Sequence, residues 1–209
     1  MKLSWANRMT ILRILLIVPF VSCMLKINDP ELGLAMRYIA TAVYLFMAIS
    51  DALDGYLART KKQVTKLGAF LDPVADKLLI TSACLLLASE RASVRTDYQS
   101  FLLPPTVVVL IIGKDLFLLI GFVIVYFITS QFLIAPALIG KIATGLQLSM
   151  VAGILIAPEV SRFFPGWIWL LRVLWWSAAG TAILATLIYI RGGSRYIEQF
   201  EQSQANNAR

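Results

Sequence analysis

Long apolar stretches, separated by short polar connections, run along almost the whole chain. Each stretch is close to the ~20 residues that an α-helix needs to cross the hydrocarbon core of a bilayer. Their boundaries, read from hydropathy, are residues 10–25, 37–58, 68–87, 105–127, 132–157 and 166–190. The pattern predicts an all-α integral membrane protein in which residues 1–209 form one bundle of six transmembrane helices.

A polar segment follows the last apolar stretch. Gly192 and Gly193 come directly after Arg191, and glycine is typical of the residue just past a helix end. We therefore expect the sixth helix to end there and residues 191–209 to form a short, frayed polar tail.

Composition agrees with a membrane protein and narrows the chemistry. The 209 residues are 59% hydrophobic and 15% charged, and their mean hydropathy is +0.77. The chain has no histidine, which excludes a histidine-rich zinc site and a Ser-His-Asp hydrolase. A proton-transfer step would have to use a carboxylate, a lysine, a tyrosine or water.

The basic residues predict the orientation. With six crossings, eight of them fall on one side of the membrane: Lys2, Arg8, Arg59, Lys61, Lys62, Lys66, Arg191 and Arg195. An excess of Lys and Arg on one side of the membrane marks the cytoplasmic side, so we expect this side, with both termini, to face the cytoplasm. The net charge of +7 indicates attraction to anionic lipid headgroups rather than nucleic acid. No Arg- and Ser-rich amphipathic presequence is evident, which favours a bacterial inner membrane over an organellar one.

Four of the 12 acidic residues lie close together at the end of the second apolar stretch and the start of the third. Asp51 and Asp54 are three apart, and Asp72 and Asp76 are four apart, so each pair shares a helix face. A short connection makes the two helices antiparallel neighbours, with the pairs facing each other. Two divalent cations would relieve the repulsion, and oxygen ligands select Mg²⁺ or Mn²⁺.

Other residues in this stretch fit the handling of a diphosphate. Gly55 and Gly68 would let a phosphate approach the backbone, and the Arg59 guanidinium could bind it in bidentate fashion. Purely structural explanations remain open. Asp72 could cap the helix that begins at Pro73, Asp51 and Asp54 could neutralise the nearby Lys and Arg residues, and the glycines could serve helix packing.

Taken together, these residues resemble the motif of the CDP-alcohol phosphotransferase family, D-x2-D-G-x2-A-R-x8-G-x3-D-x3-D. Every fixed position is filled, by Asp51, Asp54, Gly55, Ala58, Arg59, Gly68, Asp72 and Asp76. The predicted six helices agree with the fold of that family. The resemblance implies metal-dependent transfer of a phosphatidyl group from CDP-diacylglycerol to an alcohol acceptor, with release of CMP, and a homodimer is common in the family.

The resemblance also implies residue roles. Asp51 and Asp72 would each contact both metal ions, Asp54 the first ion and Asp76 the second, with Asp76 also acting as the general base. The CDP-lipid would lie near a set of residues that includes a segment before the first helix: Asn7, Thr10, Gly55, Arg59, Thr65 and Gly68.

Two lysines are candidates for the acceptor site, Lys114 and Lys141. A cation within a transmembrane segment is costly and therefore suggests function, although an ion pair of Lys114 with Asp115 or another acid would also explain it. Family members that use glycerol 3-phosphate usually have Arg-Glu at 114–115 and an arginine at the position of Phe122. Cardiolipin-type members have Arg-Asp and lack that arginine.

Glycerol 3-phosphate is the preferred acceptor, because Arg59, Lys114 and Lys141 could together hold one phosphate. The alternative is a CMP-forming cardiolipin synthase that uses phosphatidylglycerol. A small transporter with a cation site is a more remote alternative. It would predict acidic residues spread through the depth of several helices, whereas here four cluster at one boundary.

Overall fold

The computed structural model of the protein describes residues 5–61, 66–96, 100–129 and 138–207, and these residues are helical apart from the connections. Within them, the only β-type pairing is a single bridge between Arg95 and Ser100. The helices are α1 (Trp5–Met24), α2 (Gly33–Lys61), α3 (Lys66–Leu87), α4 (Pro105–Thr129), α5 (Leu138–Leu155), α6 (Ala157–Phe163) and α7 (Trp167–Asn207). The predicted all-α class is confirmed.

Packing divides the bundle into two groups of helices. Helix α1 packs against α2 and α3, and α7 packs against α4 and α5. The buried rings of Phe20 on α1 and Tyr44 on α2 lie 5.8 Å apart between centroids. The Tyr44 hydroxyl donates a hydrogen bond to the Leu148 carbonyl at 3.0 Å, which joins the first group to α5.

The outer surface of several helices is apolar. Val18 on α1, Val109 on α4 and Val173 on α7 are 66%, 68% and 68% exposed. Because a water-soluble protein rarely exposes apolar side chains on this scale, these helices indicate contact with lipid. In length and apolarity, Gly33–Asp51 of α2 and Trp167–Ser194 of α7 qualify as membrane spans within the described ranges. A third span results if α5 and α6 are counted together.

A sharp bend separates α5 from α6. The two helices meet at 73° around Ile156, and Pro158 lies at the start of α6. A proline ring has no N–H to continue the α-helical ladder, so the sequence itself ends α5 here. The indole N–H of Trp167 donates to the Gly153 carbonyl at 3.1 Å and fixes the start of α7 against α5.

Two predicted helix boundaries are wrong. Helix α1 begins at Trp5, so Asn7 and Thr10 lie within a helix rather than before one. The apolar stretch marks only the part suited to lipid, and backbone hydrogen bonding carries the helix beyond it. Helix α7 continues through Gly192 and Gly193 to Asn207. Each glycine costs about 1 kcal/mol relative to alanine, but extending an existing helix requires no new nucleation.

Candidate active site

An ion pair connects α1 to the end of α2 that carries the aspartate motif. Arg13 Nη1 lies 2.6 Å from Asp51 Oδ1, and the Arg13 side chain is only 2% exposed against 37% for Asp51. The antiparallel packing of α1 on α2, which also sets Phe20 against Tyr44, brings these two residues to the same level. Asp51 therefore has a buried cationic partner and a side open to other ligands.

Thr10 belongs to the same face of α1 as Arg13. The two residues are three apart and are 1% and 2% exposed. Sequence reasoning placed Thr10 near the CDP-lipid but did not select Arg13 as a site residue. The available signal was an arginine in an apolar helix, because a buried guanidinium requires a carboxylate partner.

Asp76 on α3 interacts electrostatically with charged groups on several helices. Its carboxyl group is half-buried, and it is within electrostatic range of Asp51, Arg13, Lys77 and Asp115. These groups come from four different helices. The structure therefore brings the last carboxylate of the motif into the same polar region as the first one, Asp51.

A three-residue charge cluster joins α3 to α4 beside Asp76. Asp115 Oδ1 lies 2.7 Å from Lys77 Nζ and 3.1 Å from Lys114 Nζ. The side chains of Lys114 and Asp115 are 2% and 10% exposed. Lys114 thus has the acidic partner that its structural explanation required. The same Asp115 carboxylate also contacts Lys77, so it connects Lys114 to α3, the helix that carries Asp76.

Lys141, the second lysine predicted to bind the acceptor, contacts none of the three residues of this cluster. It is exposed near the start of α5, and it forms no hydrogen bond or ion pair with another described side chain. The neighbouring Gly140 faces the hydroxyl of Tyr189 on α7, which a Cβ at Gly140 would approach to 3.3 Å. The predicted acceptor roles of Lys114 and Lys141 stay predictions.

Several predicted site residues have a described backbone position but no described side chain. They are Asn7 on α1, Asp54, Gly55 and Arg59 on α2, and Gly68 and Asp72 on α3. Thr65 lies outside the described residues altogether. The predicted contacts of these residues with metal ions and with the CDP-lipid are therefore carried forward as predictions.

The described side chains alone form no metal-binding group of three acidic, cysteine or histidine residues. They do contribute oxygen donors suited to a hard cation, since Asp51 and Asp76 are carboxylates within electrostatic range of each other. The described cluster contains three carboxylates and the three cations Arg13, Lys77 and Lys114. Its charge is balanced before the motif residues Asp54 and Asp72 are added.

The described structure is a bundle of apolar helices with a polar region that contains the carboxylates Asp51, Asp76 and Asp115, and such an arrangement is typical of an integral membrane protein with a charged site. The chain belongs to the CDP-alcohol phosphatidyltransferase family, whose model matches residues 3–187. The family resemblance inferred from the aspartate motif is therefore confirmed, and with it an enzyme class rather than a transporter.

Individual relatives carry two names. A Bacillus subtilis protein named CDP-diacylglycerol–glycerol-3-phosphate 3-phosphatidyltransferase is 32% identical over 157 residues, covering 72% of this chain and 75% of that protein. A Pseudomonas fluorescens protein of the same name is 44% identical over 88 residues, 42% of each chain. A Drosophila melanogaster probable cardiolipin synthase (CMP-forming) is 32% identical over 206 residues, covering 88% of this chain and 56% of that protein.

Proposed function

We propose that the protein transfers a phosphatidyl group from CDP-diacylglycerol to an alcohol acceptor and releases CMP. Family membership supports this proposal, and so does the full set of motif residues between Asp51 and Asp76. The observation that carries it furthest is the convergence of Asp51, Asp76 and Arg13 in one polar region of an otherwise apolar bundle. Charged groups there suit a diphosphate at a membrane surface.

Two divalent cations, Mg²⁺ or Mn²⁺, would be held by the carboxylates of Asp51, Asp54, Asp72 and Asp76. When bound, they would supply positive charge to neutralise the diphosphate and polarise the phosphorus. The balance of charge supports this assignment. The described cluster is already neutral, so Asp54 and Asp72 would add two negative charges, of which Arg59 could offset only one.

The residues of this chain then have distinct roles. Arg59 binds a phosphate oxygen of the CDP-lipid, and Gly55 and Gly68 leave room for the diphosphate. Asp76 accepts the proton of the acceptor hydroxyl. The acceptor oxygen forms a bond to the phosphorus that carries the diacylglycerol, while the bond from that phosphorus to the CMP oxygen breaks. Asn7, Thr10 and Thr65 would contact the CDP-lipid nearby.

Glycerol 3-phosphate is the proposed acceptor. The name of the Bacillus subtilis relative supports it, and Lys114 and Lys141 offer cationic groups for the phosphate of this acceptor. The second candidate is phosphatidylglycerol, which would make the protein a CMP-forming cardiolipin synthase. Two observations favour that alternative. The alignment with the Drosophila relative covers 88% of this chain, and the Lys114 ammonium already forms an ion pair with Asp115.

The membrane arrangement is part of the proposal. All six long helices would cross the membrane, with both termini and the aspartate motif on the cytoplasmic side of a bacterial inner membrane. The excess of Lys and Arg around the motif and at the chain ends supports this orientation. The protein would act as a homodimer, as is common in the family.

The test is CMP release by purified protein in detergent with CDP-diacylglycerol and Mg²⁺ or Mn²⁺, comparing the two acceptors. Release with glycerol 3-phosphate alone supports the proposal, and release with phosphatidylglycerol alone assigns the cardiolipin synthase. EDTA should abolish release, and metal should restore it. If neither acceptor gives metal-dependent CMP above the Asp76→Asn background, the acceptor assignment is wrong.

A further inference from the structure

A polar cavity lies at the other end of α2 from the aspartate motif. It has a volume of about 600 Å³, is partly open, and is lined by the α1–α2 connection, the start of α2, the α3–α4 connection, α6 and Pro165. Arg37 lines it from the first turns of α2, whereas Asp51 comes 14 residues later. At 1.5 Å per residue these positions are about 21 Å apart along the helix. The cavity is therefore separate from the candidate active site.

All the charged residues of the described lining are arginines: Arg37, Arg95 and Arg162. Arg37 is the buried member and is neutralised by Glu159, to which its two terminal nitrogens donate, with 2.8 Å between Nη1 and Oε2. Nη1 also donates to the Leu155 carbonyl at 3.3 Å. This pair ties α2 to the bend between α5 and α6 and forms a fixed wall of the cavity.

The other two arginines form no ion pair with a described carboxylate. Arg95 donates from Nε to Ser93 Oγ at 2.9 Å and from Nη2 to the Glu90 carbonyl at 2.7 Å, and both acceptors are neutral. Arg162 is exposed, and it forms no hydrogen bond or ion pair within the described part of the chain. Two guanidinium groups at one cavity thus lack a described carboxylate partner.

No carboxylate lies among the described lining residues. The Asp29 carboxylate accepts the backbone N–H groups of Glu31 and Leu32, each at 3.0 Å. The Asn28 amide donates to the carbonyls of Arg91 and Ser93 at 2.8 and 3.3 Å, which holds the two connections together. These hydrogen bonds hold the α1–α2 and α3–α4 connections against each other. The charged donors at the cavity are the guanidinium groups of its arginines.

The rest of the described lining mixes polar residues (Asn28, Thr96 and Ser161) with apolar ones, and it lies where helices suited to the membrane begin. Leu34, which is 61% exposed, contributes hydrophobic surface, and the buried side chains of Ile27 and Val94 lie behind the lining. The candidate spans of α2 and α7 start at Gly33 and Trp167, and Gly33 and Pro165 line the cavity. A ligand here would meet guanidinium groups and apolar side chains together at a membrane boundary.

We propose that this cavity binds the phosphate of an anionic phospholipid headgroup. Planar guanidinium groups bind phosphate oxygens in bidentate fashion, and Arg95 is held in place for this by its two neutral acceptors. The apolar lining accommodates the start of the lipid chains. Because the cavity is remote from Asp51 and Asp76, this binding does not depend on the proposed transfer reaction.

The test is lipid binding by the full-length protein in neutral detergent, followed by native mass spectrometry with short-chain phosphatidylglycerol. Arg95→Gln/Arg162→Gln is compared with Arg91→Gln/Arg172→Gln, which removes the same net charge from exposed arginines outside the lining. We expect the first variant to bind one lipid fewer, or that lipid about tenfold more weakly, while the second behaves like the wild type. Equal binding by the two variants would overturn the proposal.

Two further arms identify the source of the phosphate. Inorganic phosphate in place of the lipid measures a free anion, and a short-chain phosphatidylcholine measures a headgroup without net charge. Binding of phosphatidylglycerol well above both assigns an anionic lipid. Arginine-dependent binding of inorganic phosphate alone overturns the lipid assignment. Arg162→Gln guards against misfolding of the double variant, because this exposed side chain has no described partner, and it should weaken lipid binding several-fold by itself.

Discussion

The guanidinium of Arg13 on α1 contacts the carboxylate of Asp51 on α2 at 2.6 Å, with the arginine almost fully buried. This contact holds the first carboxylate of the motif in place and supplies it with a counter-charge. A bound metal ion would act on the same carboxylate, so the two interactions should be coupled.

Replacement of Arg13 by glutamine should destabilise the metal-free protein. The loss is expected to be about 1–2 kcal/mol, which is less than for a fully buried ion pair, because Asp51 is 37% exposed and water offsets part of the cost. Added Mn²⁺ should narrow the difference in thermal unfolding midpoint between Arg13→Gln and the wild type. Arg13→Lys, which keeps the charge, serves as the control. A difference that is the same with and without metal would contradict the coupling.

Asp76→Asn should abolish turnover and keep the fold. An amide cannot accept the proton of the acceptor hydroxyl, and loss of a general base typically lowers the rate at least ~100-fold. CMP release measures the effect, and the thermal midpoint in detergent checks the fold. Asp29→Asn makes the same change at an exposed position in the α1–α2 connection and should retain activity. Near-normal turnover by Asp76→Asn would remove Asp76 from the role of base.

Arg59→Lys should weaken binding of the CDP-lipid. A lysine ammonium carries the same charge but lacks the planar fork, so one of two charged hydrogen bonds is lost, which corresponds to about a tenfold higher KM for CDP-diacylglycerol. The KM for the acceptor should change little. Arg91→Lys, an exposed position in the α3–α4 connection, is the matched control. An unchanged KM for the lipid would refute the assignment of Arg59.

Asp115→Asn should destabilise the bundle, because it leaves the Lys77 and Lys114 ammonium groups without the carboxylate that both contact. Breaking a buried pair on one side costs about 3–5 kcal/mol, and the 34% exposure of Lys77 moves the expected loss to the lower end. Thermal and denaturant unfolding in detergent measure it.

A second variant at this cluster separates stability from acceptor binding. Lys114→Met/Asp115→Leu removes both charges and should recover part of the stability that Asp115→Asn loses, since apolar side chains can replace a buried pair. The same double variant should show a raised KM for the acceptor if Lys114 binds it. An unchanged acceptor KM in a stable Lys114→Met/Asp115→Leu protein would exclude Lys114 from the acceptor site.

The helical class and the approximate extent of the long helices could be predicted from hydropathy. The predicted stretch 105–127 corresponds to α4 (Pro105–Thr129), and the stretch 68–87 to α3 (Lys66–Leu87). Boundaries failed where the helix continues into polar residues, at Trp5 in α1 and beyond Gly193 in α7. Hydropathy reports which residues suit lipid, and a helix can extend past that region on backbone hydrogen bonds alone.

The sequence by itself determined the family and the candidate chemistry, because the spacing of Asp51, Asp54, Asp72 and Asp76 is a local property of consecutive residues on two helices. Only the tertiary structure decided which charges become partners. Arg13 meets Asp51, Lys77 meets Asp115 and Arg37 meets Glu159 across long separations in the chain. Coulombic and hydrogen-bond energies depend on distances of a few ångströms, and the packing register of whole helices sets those distances.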